Sequence, residues 1–336
     1  MRLAQLTRSH EWWDHKTPQV LSLAYATAIM ANASLFKLLA PGFLMIFASL
    51  IAIAVYASII NDFTDLEIDR ACGKSNMMER LSPFMRLLLV LSSLGLVLIA
   101  AAFIYPNIYG VVFYLLIALA ISLYSFEPVR LKKRGIWGII SCASAEHFFP
   151  ALFSIAVINW YSGSKVDVLW LCAAGSLSLI YGIRSILWHQ FLDRDNDLRS
   201  GVHTFAAGTN PASFKKWARV IIVIELLALT AVLFQLRLLL PVIFLAIYLV
   251  FALSRSRLFH SPIITIFTPK DSYFQLLMLD YYSLFFPASL LIYAAAKQPM
   301  DWIVLCIHLA MFHKILWYNI KDGYYMLMKV FSKILA

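Results

Sequence analysis

The sequence carries little charge for its length. Only 14% of its 336 residues are Asp, Glu, Lys or Arg, whereas 62% are apolar. Soluble chains carry roughly 25% charged residues, so this composition leaves too little polar surface to cover a soluble core. Apolar runs of about 20 residues, the length that crosses a bilayer, recur along the whole chain. The composition therefore excludes a soluble globular domain and predicts a single integral membrane domain over residues 1–336.

Cysteine is also scarce. The four cysteines, Cys72, Cys142, Cys172 and Cys306, show no CxxC spacing, which excludes the usual signatures of zinc and redox sites. Three of them lie inside apolar runs, where a free thiol packs as a small apolar group. We interpret all four as packing residues.

The apolar runs predict an all-α, polytopic membrane helical bundle. Short turn-forming stretches such as "LAPG", "YPN" and "YSGS" separate the runs. Nine runs predict transmembrane helices, and a tenth hydrophobic segment follows within the C-terminal residues 297–336. The predicted spans are 17–36, 43–60, 86–105, 109–125, 136–158, 167–190, 217–236, 238–254, 274–296 and, for the tenth segment, 301–320.

Lys and Arg are distributed unevenly between alternate loops. One set of loops carries 16 of them and the opposite set carries 4. Because cytoplasmic loops are enriched in Lys and Arg, the richer set is predicted to lie inside, together with the polar N-terminal segment 1–16. That segment lacks the apolar core of a cleaved signal peptide. The net charge of +10 is thus explained by topology and by attraction to anionic membrane lipids, and not by nucleic acid.

Acidic residues cluster at the ends of the second and sixth predicted helices. A helix stacks residues four apart on one side, so these like charges repel each other, and the negative end of the helix dipole opposes them again. Three helices separate the two clusters along the chain, so both reach the same membrane face. Hard oxygen ligands in two facing clusters favour a site for Mg²⁺ with a polyanionic substrate. The candidate metal ligands are Asn61, Asp62, Asp65, Asp69, Asp193 and Asp197.

Basic residues surround these clusters on the same predicted loops. Guanidinium and ammonium groups suit phosphate oxygens, although each one also serves the topology signal. The candidate diphosphate ligands are Arg70, Lys74, Arg130, Lys132 and Arg199.

Three motifs together resemble the UbiA superfamily of intramembrane prenyltransferases. The first is "NDFTDLEID", matching NDxxDxxxD from Asn61 to Asp69; the second matches DxxxDxxxGxxT from Asp193 through Gly201 to Thr204. The third is "LYSFEPVRLKKRG", which includes Tyr124. The similarity is expected to span residues 12–296, and the family's usual nine helices have no counterpart of residues 297–336.

The resemblance implies a bundle of nine transmembrane helices around a central cavity open to lipid. It also implies that the two acidic motifs hold Mg²⁺ and a prenyl diphosphate donor, with Asp65, Asp69, Asp193 and Asp197 as the catalytic carboxylates. Tyr124 joins the candidate diphosphate ligands on this basis. The acceptor would be an aromatic or lipid molecule bound within the membrane.

Polar residues deep in the predicted spans suggest an acceptor side, since buried charge in a membrane tends to mark function. The candidates are Glu146, His147, Arg184 and His189. Glu146 or His147 could accept a proton from an acceptor head group. A buried polar pair that packs two helices is the favoured explanation of Glu146 and His147, and Arg184 is as compatible with an internal ion pair as with a ligand.

Several functions remain open at this point. The same ligands would serve intermolecular prenyl transfer, a membrane terpene cyclase, or phosphoribosyl transfer to a polyprenyl phosphate. A transporter is disfavoured, because transporters place their ion sites near the bilayer midplane and show inverted repeats. The sequence predicts neither the acceptor nor the oligomeric state.

Overall fold

The computed structural model describes residues 12–200, 204–269 and 273–335. This part of the chain is a bundle of helices with one short pair of parallel strands, β1 (Ile263–Ile264) and β2 (Gln275–Leu276). The helices are α1 Thr17–Met30, α2 Leu44–Ala71, α3 Pro83–Ile104, α4 Ile108–Ser125, α5 Ile136–Ala143, α6 Phe149–Ser162, α7 Val168–Ser200, α8 Pro211–Leu236, α9 Leu239–Phe259, α10 Phe286–Lys297, α11 Trp302–Met311 and α12 His313–Leu335.

Short π-helical and 3₁₀ segments connect or extend several helices. π-Helical turns at Leu39–Phe43, Ser144–Phe148 and Tyr281–Phe285 lead into α2, α6 and α10, and 3₁₀ turns occupy Met77–Arg80, Leu131–Lys133 and Pro299–Asp301. The turn at Ser144–Phe148 joins α5 to α6, so that these two helices form one continuous helical stretch.

Seven helical stretches in the described part of the chain are long and apolar enough to cross a membrane. They are Leu39–Ala71, Pro83–Ile104, Ile108–Ser125, Ile136–Ser162, Val168–Asp195, Pro211–Leu236 and Leu239–Phe259. The polytopic helical prediction is therefore confirmed, but the count of nine is not.

The two predicted spans that fall short are the first and the ninth. α1 has 14 residues, about 21 Å at 1.5 Å per residue, and α10 has 12. In α1, 11 of the 14 residues are buried. Its apolar residues therefore pack against other helices. Hydropathy does not distinguish this packing from contact with lipid, so it predicted a membrane crossing here.

The tenth segment does not form one straight helix. α11 and α12 meet at Phe312 with a bend of 80°, so they could count only as a broken span.

The bundle exposes large apolar side chains on its peripheral helices. Only 28% of the apolar window of α3, 28% of that of α8 and 17% of that of α9 is buried within the protein. Phe234 and Val250 are among the most exposed of these side chains. Apolar surface on this scale fits contact with lipid acyl chains and not with water.

Candidate functional site

The first acidic motif lies within the last turns of α2. Asp65 and Asp69 are one helical turn apart, and the helix ends at Ala71. Gly73 follows with a φ of +66°, a left-handed conformation that glycine adopts at no steric cost. The chain therefore reverses direction directly after the motif and returns along α2.

Asn76 occupies the returning segment and is buried. Its Nδ2 donates hydrogen bonds to Asp69 Oδ2 at 2.7 Å and to the backbone oxygen of Asp62 at 2.9 Å. Its Oδ1 accepts from the backbone N–H of Met78 at 2.9 Å. Asn76 thus fixes the Asp69 carboxylate and caps the 3₁₀ turn beyond it. Asn76 was not among the predicted site residues, because an asparagine before a polar turn has no distinctive spacing.

The connection after α4 supplies cations to the first motif. Arg130 Nη2 donates to Asp65 Oδ1 at 2.8 Å and to the Thr64 backbone oxygen at 3.0 Å. Lys132 forms a second ion pair with the same oxygen of Asp65. These contacts offset the repulsion and the unfavourable helix-dipole term that the sequence predicts for this helix end.

Both cations are held in partly buried positions. Burial lowers the pKa of Lys132, and the hydrogen bond to Asp65 opposes that shift. Arg130 adopts a left-handed backbone conformation, with a φ of +34°. A Cβ added to Gly138, at the start of α5, would lie 2.8 Å from the Leu131 oxygen and 3.1 Å from the Lys132 Cα. Close packing of α5 therefore sets the position of this cationic loop.

The second acidic motif ends α7. Thr204 Oγ1 donates to Asp197 Oδ2 at 2.9 Å. Burial raises the pKa of Asp197, the hydrogen bond from Thr204 opposes this, and the negative charge of Asp193 raises it further. Lys74 also interacts electrostatically with Asp197, so the turn after α2 faces the end of α7. Gly201, the glycine of this motif, lies outside the described residues.

A cavity of about 370 Å³ extends from the first motif into the bundle. Its wall follows α2 from Leu50 to Asn61 and includes Tyr124 at the end of α4. Lys16 and Glu146 face the cavity as an ion pair, with Lys16 Nζ 2.6 Å from Glu146 Oε2. The cavity wall is thus apolar along much of α2, and its polar members are Asn61, this ion pair and the hydroxyl-bearing residues Thr17, Ser58, Tyr124 and Ser125.

The four predicted acceptor-side residues take different positions. Glu146 lines the cavity. His189 lies near enough to interact electrostatically with Glu146, and its ring packs on Trp188 at a centroid distance of 4.6 Å. The buried His147 ring packs edge-on against Tyr181.

Arg184 is placed in an internal ion pair, one of the two alternatives open from the sequence. Its Nε lies 2.5 Å from Glu225 Oε2 and its Nη2 lies 2.9 Å from Glu225 Oε1, with both side chains fully buried. The backbone oxygens of Thr265 and Leu277 accept further hydrogen bonds from Arg184. Sequence analysis missed Glu225, although it is the one carboxylate within the predicted span 217–236.

The remaining predicted phosphate ligands are more peripheral. Arg70 is exposed and pairs with Glu79 at 3.4 Å. Lys74 and Arg199 are exposed on the turn after α2 and at the end of α7. The structure therefore brings Arg130 and Lys132 onto the first motif, while the other basic residues surround it.

In the described part of the chain, the acidic motifs do not form a complete metal site by themselves. Within residues 12–200, 204–269 and 273–335, no three His, Cys, Asp or Glu side chains lie close enough together to hold a metal ion by themselves. The acidic motifs nevertheless present carboxylate and amide oxygens, the donors that Mg²⁺ prefers. Mg²⁺ usually takes only one or two protein carboxylates and fills its other positions with water and phosphate oxygens. The donor set thus fits a metal that is completed by its substrate.

A comparison with known protein families agrees with the resemblance seen in the three motifs. The model of the UbiA prenyltransferase family matches residues 20–262. The sequence has no significant match among curated proteins.

Solved structures of a UbiA homolog from Archaeoglobus fulgidus are similar in fold. The form bound to Cd²⁺ has a TM-score of 0.59 at 16% identity, covering 88% of this chain and 98% of the other. The form bound to GPP and Mg²⁺ has a TM-score of 0.55 at 15% identity, covering 89% and 99%. The form bound to DMAPP and Mg²⁺ has a TM-score of 0.54 at 16% identity, covering 88% and 98%.

Proposed function

Because the chain belongs to the UbiA prenyltransferase family, we propose that it transfers a prenyl group from a prenyl diphosphate to an aromatic or lipid acceptor within the membrane, releasing diphosphate. The observation that carries the proposal is the junction of the first acidic motif, its cations Arg130 and Lys132, and the apolar cavity that begins at Asn61. The homologous structures that hold DMAPP or GPP with Mg²⁺ support the same donor class.

The diphosphate would bind between the two acidic motifs with Mg²⁺. Asn61, Asp65 and Asp69 would hold the metal from α2, and Asp193 and Asp197 from α7, with Asp62 beside them. When bound, Mg²⁺ would neutralise the charge that develops on the leaving diphosphate. Arg130 and Lys132 provide fixed positive charge at the same place, and the planar guanidinium of Arg130 suits two phosphate oxygens at once.

The prenyl chain would extend along α2 into the cavity. From Asn61 to Leu50 the cavity wall follows about 16 Å of helix, at 1.5 Å per residue. Breaking the bond between the prenyl carbon and the diphosphate oxygen leaves the electron pair on the diphosphate and a carbocation on the prenyl group. Apolar walls exclude the water that would quench this cation. Trp12 and Tyr124 line the cavity, where an aromatic ring facing the cation would stabilise it by about 0.5–2 kcal/mol.

The acceptor would approach the ion pair between Lys16 and Glu146. Its nucleophilic atom would give an electron pair to the prenyl carbon and lose a proton, which the Glu146 carboxylate would accept. Lys16 would hold an oxygen of the acceptor head group. A charged pair in the wall of this cavity supports a bound acceptor over cyclisation of the prenyl chain on itself.

The proposed reaction also has an orientation relative to the membrane. The excess of Lys and Arg on the loops next to the acidic motifs predicts that these motifs and the N-terminus lie on the cytoplasmic side of the membrane. Donor diphosphates would then enter from the cytoplasm, while the prenyl chain and the acceptor would enter from the bilayer.

Product analysis tests the reaction. Purified protein with Mg²⁺ and labelled GPP should release pyrophosphate only when an acceptor is supplied, for example in a membrane lipid and quinone extract. Formation of a cyclic hydrocarbon without acceptor would overturn the proposal in favour of a cyclase. Lipid and quinone profiles of cells with and without the protein would then identify the missing prenylated species.

Two variants test the site. Asp65→Ala and Asp193→Ala should each abolish turnover while the protein folds and extracts normally. Glu67→Ala is the matched control, because Glu67 lies on the same stretch of α2 with its side chain exposed, and it should retain activity. Full activity in both aspartate variants would refute the assignment of the metal ligands.

A further inference from the structure

The last helix, α12, presents three distinct faces. Successive residues of a helix are separated by 100°, so residues three or four apart form a stripe along its surface. Ile315, Asn319 and Met326 form one such stripe and are buried against the protein. The other two stripes, on either side of this buried stripe, are exposed.

One exposed stripe is apolar. It runs through side chains at spacings of three and four residues, all between 53% and 63% exposed: Trp317, Ile320, Tyr324, Leu327 and Phe331. Exposed apolar side chains aligned in this way indicate a surface that contacts lipid or a partner.

The opposite exposed stripe is basic and phenolic. It follows the same spacing through Lys314, Tyr318, Lys321, Tyr325 and Lys329, all of which are exposed. Asp322, the one acidic residue of α12, is turned toward the protein and pairs with Arg255 of α9 at 3.1 Å. The exposed part of this stripe is therefore positively charged.

Contacts at both ends place α12 at one end of the bundle. Near its start, Lys314 pairs with Asp14 at 3.8 Å, just before α1 begins. Toward its end, Lys329 donates to the Leu258 backbone oxygen and lies over the Phe259 ring, where α9 ends. Because the crossing helices alternate in direction from α2 to α9, the end of α9 lies on the same side as the ends of α2 and α7. Helix α12 thus shares a membrane face with the acidic motifs.

We propose that α12 lies in the plane of the membrane surface, with its apolar stripe in the acyl region and its basic stripe among anionic phospholipid headgroups. Amphipathic helices with Lys on the polar face and Trp, Phe and Leu on the other behave in this way. The bend of 80° from α11 turns α12 away from a crossing direction. If α12 crossed the bilayer, Lys321 would lie near mid-membrane, where a lysine is costly.

The depth of α12 in the membrane tests the orientation. Trp317→Cys, Tyr324→Cys and Phe331→Cys place probes seven residues apart on the apolar stripe, in a background without the native cysteines. Each site would carry a fluorophore, and the full-length protein would be reconstituted in nanodiscs whose lipids carry quenchers at defined depths. An in-plane helix gives the same shallow depth at all three sites. A crossing helix separates the outer two sites by about 21 Å, a result that would overturn the proposal.

The opposite stripe provides the matched control. Lys314→Cys and Lys321→Cys are also seven residues apart, and their fluorophores should be quenched by aqueous iodide and not by the acyl-chain quenchers. Equal iodide quenching on both stripes would show that the apolar stripe faces water and would also overturn the proposal.

A change of lipid tests the headgroup part. Amide hydrogen exchange in α12 should be slower in nanodiscs containing anionic phospholipid than in purely zwitterionic ones. The double variant with Lys314→Gln and Lys321→Gln should lose this difference. Equal exchange of the unmodified protein in both lipids would refute anionic headgroups as the partner of the basic stripe.

Discussion

Substituting Glu225 by Gln would leave Arg184 as a buried positive charge without its carboxylate partner. Both side chains are 0% exposed and meet through two contacts of 2.5 and 2.9 Å. Glu225 also accepts a hydrogen bond from the Tyr282 hydroxyl at 3.1 Å. The substitution keeps the size of the side chain and removes only its charge, so the measured effect reports on the electrostatics of the pair.

The expected cost follows from the burial. Removing one partner of a buried ion pair typically costs about 3–5 kcal/mol, because the remaining charge is uncompensated. Arg184→Met should cost a similar amount, because it strands the carboxylate instead. The double variant should recover part of this loss, since neither charge remains. Recovery should be incomplete, because the Thr265 and Leu277 backbone oxygens lose their donor, at about 1–3 kcal/mol for each unsatisfied group.

Unfolding in detergent, followed by circular dichroism, would give the free energies for both single variants and the double variant. Arg219→Met is the matched control, because Arg219 is exposed on the same helix as Glu225 and should change stability by at most about 0.5 kcal/mol. Unchanged stability of Glu225→Gln would refute the structural role. A raised KM for the acceptor in Arg184→Met at unchanged stability would instead make Arg184 an acceptor ligand.

Three further predictions concern the acidic site. Asn76→Ala should lower the free energy of unfolding by about 1–3 kcal/mol and weaken activation by Mg²⁺, because Asp69 loses the hydrogen bond that Asn76 donates. Ser75→Ala, at an exposed neighbouring residue, should have neither effect. Gly138→Ala should lower kcat/KM for the prenyl diphosphate by displacing Lys132, whereas Gly95→Ala, where an added Cβ meets open space, should not. Chelation by EDTA should abolish pyrophosphate release, and added Mg²⁺ should restore it; turnover that persists in EDTA would contradict the proposed metal site.

Residues close together in the sequence were the most predictable part of the site. Helical periodicity alone places Asp65 one turn before Asp69, although the predicted span 43–60 ends before both residues, whereas α2 continues through them to Ala71. The need for positive charge at this helix end followed from the same spacing. That the charge comes from Arg130 and Lys132, about 65 residues along the chain, depends on the packing of α5 against the cationic loop, which leaves no periodic signal.

Hydropathy predicted apolar segments well but not what covers them. The lipid-facing α9 and the buried α1 are both apolar, although α9 has 21 residues and α1 has 14. A helix surrounded by other helices has no need to match the thickness of the bilayer, so its length is set by the neighbours it packs against. Hydropathy likewise did not predict the bend between α11 and α12, after which α12 pairs with Asp14 and with Arg255 of α9.

The ion pairs that Asp65 makes bear on how a diphosphate would bind. Asp65 is held by two cations, so the site carries its counter-charge before any substrate arrives. A diphosphate that enters there meets bases already fixed by Asp65 and by the Thr64 backbone oxygen, and little reorganisation is needed to stabilise the leaving group. Asp65 therefore positions two cations, in addition to its proposed role as an oxygen ligand of Mg²⁺. For this reason neutralising Asp65 should impair diphosphate binding even at saturating Mg²⁺, whereas loss of a metal ligand alone would be offset by more metal.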